Sequence, residues 1–150
     1  MSFLLSLHAL AAVIWVGGMF FAYLILRPAA AGLEAPDRLT LWRDVFARFF
    51  PWVWGVILTL LVSGYGMVFG PLGGFAGAAV HVHVMQAGGL LMMLIFAHLF
   101  FAPWRRFKQA VDSRNFQKAG TQLAVIRKIV AVNLVLGLLV VIIGSGGRYW

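Results

Sequence analysis

The side chains with most chemistry to offer in this 150-residue chain are four histidines, because cysteine is absent and no Asp or Glu lies inside its apolar runs. That inventory excludes thiolate metal sites, disulfides, cysteine nucleophiles, carboxylate proton relays and paired-acid hydrolysis. At ~1.5 Å of helix per residue, His8 lies about 8 Å along the first apolar run and His83 about 5 Å along the third, counted from the same membrane face. Their depths match. His81 is nearer still to that face, whereas His98 lies roughly 22 Å from His83 near the opposite boundary and cannot share one metal ion with the others.

Helical phase sorts the histidines further. At ~100° per residue, His81 and His83 point about 200° apart, so only one of them faces a bundle centre, while His83 and His98 differ by about 60° and share a broad face. Histidines near both ends of one face resemble the arrangement in di-haem cytochrome b helices, but a second bis-histidine haem requires another histidine near the far end and none exists. A neutral imidazole in a bilayer is costly unless something binds it, and a metal or haem iron is a natural partner. The plain alternative is a hydrogen bond to a neighbouring helix, or a place at headgroup level, and for His81 and His98 it is the stronger of the two.

Three readings follow. The leading one is a b-type haem protein that transfers electrons, with His8 and His83 as axial ligands, Trp15 supplying a dry aromatic wall and Arg148 near a propionate. Gly18 and Gly88 would let a flat macrocycle approach the backbone, although small residues serve helix packing equally well. The second reading is copper: His8, His81, His83 and the thioether of Met85 combine nitrogen with soft sulfur and no carboxylate, which suits Cu(I). The third is a cofactor-free scaffold whose histidines only link helices. Whether the chain is an enzyme, a membrane oxidoreductase, stays open at this stage.

The elements that must position these residues are legible in composition. Hydrophobic residues make up 63% of the chain and charged residues 11%, and a spanning helix needs about 20 apolar residues. Four runs qualify, at 3–26, 50–69, 80–102 and 126–145. They are continuous rather than alternating, which disfavours a β-barrel. The first run has no basic residue before it and is too long for a signal h-region, so it is expected to be a retained span. The expectation is an all-α membrane protein: one domain over 1–150, an antiparallel bundle of four transmembrane helices in a bacterial inner membrane.

Eleven of the twelve basic residues fall between spans one and two or between spans three and four, with all four acids, and only Arg148 follows span four. By the positive-inside rule both basic connections are cytoplasmic and both termini are extracytoplasmic. Insertion and anionic-lipid contact account for the formal charge of +8, so nucleic acid is not expected as a partner. Pro36 and Asp37 ahead of Leu39, Leu41, Trp42, Val45 and Phe46 predict a short cytoplasmic interfacial helix. Asp112 and Ser113 are expected to cap a helix that begins near Asn115 and runs into span four. The uncharged, turn-rich stretch from Gly70 to Gly74 is placed to fold over an outward-facing site.

The segment Leu7-His8-Ala9-Leu10-Ala11-Ala12-Val13-Ile14-Trp15-Val16-Gly17-Gly18-Met19-Phe20 resembles the opening span of the CopD-like family of copper-resistance membrane proteins. Phe49-Phe50-Pro51-Trp52, Ser63-Gly64-Tyr65, His81-Val82-His83-Val84-Met85, and Ile126-Arg127-Lys128 with Asn133 and Gly137 extend the resemblance over almost the whole chain. It implies copper handling, with a periplasmic copper-binding protein as partner, whereas the haem reading calls for a membrane electron donor or acceptor. A weaker similarity runs to HemJ-type protoporphyrinogen oxidases, which bind b-type haem. Their first-span histidine matches His8 and their third-span histidine matches His83, but the lysine two residues after it is replaced here by Met85.

Overall fold

The computed structural model describes Met1 to Tyr149, apart from the side chain of Arg148. Four helices are long and apolar enough to cross a membrane, and each contains one of the expected spans. Helix α1 runs from Ser2 to Ala30, with a π-helical stretch at Phe21–Leu26. Helix α2 covers Ala35–Phe69, α3 Val80–Phe101, α4 Pro103–Asp112 and α5 Phe116–Gly146. A membrane-spanning chain whose lipid bilayer takes the place of water satisfies its backbone within such helices.

Contacts fix the arrangement. Gly18 meets Phe49 and Gly64 meets His8, so α1 and α2 are antiparallel; Gly88 meets Val140 and Gly144 meets Met85, so α3 and α5 are antiparallel too. Ring contacts of Phe50 and Trp54 with Phe96 and Phe100 bring α2 against α3. All four glycines sit where a Cβ would press on a neighbouring helix. Small residues permit that closeness, which matters in lipid because packing rather than the hydrophobic effect holds helices together.

The basic end departs from expectation in two places. Residues 36–46 form no separate interfacial helix; they are the first turns of α2, which continues unbroken through Pro51. The reason is their apolar stripe. Leu39, Trp42, Phe46 and Phe50 repeat at helical spacing and bury together against Trp104 and Phe107, a cluster in which Phe107 has no exposed surface. That packing holds the helix together across the missing amide hydrogen of an exposed proline. The short amphipathic helix is α4 instead. Pro103 breaks span three at Ala102, and α4 then buries Trp104, Phe107, Ala110 and Val111 while exposing Arg105, Arg106 and Lys108.

The cap of α5 also differs. Asn115, not Asp112 or Ser113, is the N-cap, its side chain accepting from the Lys118 amide at 3.1 Å. Ser113 turns back to donate to the Gln109 carbonyl at 2.8 Å. The chain reverses at Arg114, whose φ of 55° lies in the left-handed region. There the amides of Arg114 and Asn115 close on the carbonyls of Val111 and Ala110, at 3.0 and 2.8 Å, in a Schellman pattern. Helix α5 then runs without a break into span four, as its sequence predicts.

Candidate functional site

His8 projects from α1 onto α2, where Gly64 leaves room for it: a Cβ at Gly64 would lie 3.2 Å from His8 Cε1. The imidazole Nδ1 is 2.9 Å from Ser63 Oγ. Ser63 is fully buried, and its Oγ is 2.6 Å from the Thr59 carbonyl one turn earlier in α2. A hydroxyl has one proton, and the carbonyl can only accept, so that proton goes to Thr59. The oxygen that remains accepts, which assigns the ring proton of His8 to Nδ1. The lone pair is then on Nε2, and the Leu60 carbonyl beside the ring can only accept, so it does not occupy that lone pair. An imidazole tied through one nitrogen and open at the other is the usual state of a metal-ligating histidine.

The same end of the bundle collects the other expected residues, in separate settings. Past α2, the loop makes positive-φ turns at Gly73 and Gly74 and sends Phe75 back over the helix ends. The Phe75 ring lies 6.2 Å from Tyr65, 5.5 Å from Phe69 and 5.9 Å from His83, centroid to centroid. His83 is exposed apart from that contact. Gln86 donates to the Tyr65 hydroxyl, linking α3 to α2. His81 lies against Gly147 and the Met85 thioether against Gly144, so both face α5 and share one side of α3. This follows from their four-residue spacing, and it leaves His83 on another side, as helical phase predicts.

Among the described residues no hydrogen bond or ring contact joins His8 to His83, and no group of three or more His, Asp or Glu is placed to hold a metal ion. His98 is exposed at the opposite end. Trp15 is buried with its ring edge-on to Phe96 at 6.1 Å. Gly18 receives the ring of Phe49, and a Cβ on Gly88 would lie 2.6 Å from Val140 Cγ2, so both glycines serve helix packing here. The side chain of Arg148, expected beside a propionate, lies outside the described residues.

A haem between His8 and His83 would need open space between their rings. A cavity of ≈ 230 Å³ lies elsewhere in the bundle, among Trp15, Gly18, Phe49, Phe50, Phe96 and Asn133, and no histidine lines it. It is also smaller than the roughly 300–1,000 Å³ typical of cofactor pockets. Haem therefore finds no support in this geometry.

Two functional candidates escaped a reading by residue type alone. Ser63 carries the orientation of His8, and the available signal was depth: it lies ~9 Å from the end of its helix, close to the level of His8 in α1. Asn133, on α5, lines the cavity of ≈ 230 Å³.

A family model described as Copper resistance protein D matches residues 43–146. The match takes in Ser63, His81, His83 and Met85, while His8 lies before it. No curated protein and no solved structure matches the chain.

Proposed function

This chain belongs to the copper resistance protein D family, and from that premise we propose that it binds Cu(I) through His8 and passes it along the histidine-bearing end of the membrane bundle. The observation that carries the reading is the chain of hydrogen bonds from His8 Nδ1 to Ser63 to the Thr59 carbonyl, which keeps the His8 Nε2 lone pair free. Cu(I) is soft and accepts imidazole nitrogen and thioether sulfur without any carboxylate. His81 and Met85, together on the α5-facing side of α3 at the same end, are the second pair of donors. His83, exposed beside Phe75, is the donor nearest to solvent exchange. This end faces out of a bacterial inner membrane, because the basic connections lie at the other end. The ion would come from, or go to, a periplasmic copper-binding protein.

The test is a competition titration of purified protein with Cu(I) and a chromophoric chelator under anaerobic conditions, with an absorption spectrum of the same sample. One Cu(I) per chain, weakened by His8→Ala, supports the proposal. Copper binding that ignores His8→Ala refutes it. A red preparation whose Soret band disappears in His8→Ala would replace copper with haem as the group at this histidine.

A further inference from the structure

The cavity between α1, α2, α3 and α5 carries a polar group that nothing satisfies. Asn133 lines it and is only 3% exposed. Its Nδ2 donates to the Met92 carbonyl at 3.4 Å, while its Oδ1 is buried and has no hydrogen-bond partner among the described residues. The Met92 carbonyl only accepts, so the amide cannot be turned over to relieve the oxygen. A buried acceptor without a donor costs about 1–3 kcal/mol. The other lining residue with a nitrogen or oxygen in its side chain is Trp15, whose indole N–H is a donor.

The backbone is unusual at the same place. Three residues of the π-helical stretch, Phe21, Ala22 and Leu26, belong to the cavity wall, and the Arg27 amide reaches back five residues to the Ala22 carbonyl. Such π turns are rare and frequently occur at functional sites. Phe21 is exposed at 55% on the outside of the bundle, inside an apolar run, so an occupant enters from lipid rather than from water.

We infer that this cavity is a binding site for a lipid-soluble aromatic alcohol, a phenol-class molecule whose hydroxyl donates to Asn133 Oδ1. Each feature of that ligand has its counterpart. The rings of Trp15, Phe49, Phe50 and Phe96 favour a flat arene. A dry cavity of ~150 Å³ already accepts benzene, so ≈ 230 Å³ has room for two fused rings. A hydroxyl supplies the donor that Asn133 lacks and an acceptor for the Trp15 N–H. A lone water is the poorer occupant, since Asn133 Oδ1 and the Trp15 N–H are the low end of the two to four partners it takes and it would leave most of the ≈ 230 Å³ unfilled. This site is separate from His8 and does not depend on copper.

Equilibrium dialysis of the full chain in detergent micelles, with empty micelles as the reference for partitioning, tests the inference. The probes are 2-naphthol and its methyl ether, which has the same rings and no donor. One 2-naphthol should bind per chain, roughly tenfold more tightly than the ether. Asn133→Leu should fold at least as stably and lose that preference, and Ala22→Leu, which fills the cavity, should weaken both probes. Equal binding of the two probes, a preference that survives Asn133→Leu, or no binding above the micelle blank, which would mean water only, overturns it.

Discussion

Ser63 accepts a hydrogen bond from His8 across the α1–α2 interface at 2.9 Å and donates its own O–H to the Thr59 carbonyl. One serine thereby chooses the tautomer of the histidine. Ser63→Ala removes the acceptor, frees the ring to turn, and should lower Cu(I) affinity about 10–100-fold, the usual cost of losing the partner behind a metal-binding histidine. Chelator competition reads the effect. Unchanged affinity with intact helicity would show that the serine only packs.

Phe107 is the largest side chain with no exposed surface, and it anchors α4 to the aromatic stripe of α2. Phe107→Ala should cost about 3–5 kcal/mol. Reversible unfolding in mixed micelles measures it, and a loss under 1 kcal/mol would mean that α4 is not part of the cooperative unit.

Gly88 admits Val140 into the α3–α5 interface. Gly88→Leu should destabilise by about 1–3 kcal/mol through overpacking. Adding Val140→Ala should recover part of that loss, since the two changes share one contact. An additive double variant argues against direct contact.

Arg43 of α2 binds Asp112 of α4 through two nitrogens, Nε to Oδ1 at 3.1 Å and a terminal nitrogen to Oδ2 at 3.4 Å. The hydrogen bond to Asp112 raises the guanidinium pKa further above its ordinary value, so the arginine is charged at every accessible pH. Both groups are partly exposed, so Arg43→Met should cost less than about 1 kcal/mol, and less again at high salt. A double-mutant cycle with Asp112→Asn gives the coupling directly.

Membrane orientation has its own test, helped by the absence of native cysteine. An impermeant maleimide should label Ala76→Cys in intact spheroplasts and Lys108→Cys only after permeabilisation. The reverse pattern would turn the proposed copper end toward the cytoplasm.

Composition and periodicity determined much of this protein. Four helices long enough to cross follow from run length, and the divergence of His81 from His83 from helical phase. Continuity of α5 into its span was also legible. What the sequence did not contain was the rotation of each helix about its axis. Spans one, three and four are apolar nearly all round, because lipid and protein neighbours ask for the same residue types, so no amphipathic stripe marks the inward face. Rotation is decided by complementary shapes across interfaces: Phe49 into the gap at Gly18, Val140 into the gap at Gly88, His8 over Gly64. Those fits set His8 against Ser63 and Gly64. They also left an unpartnered amide at Asn133 facing an aromatic hollow, a relation between distant residues that only tertiary packing can create.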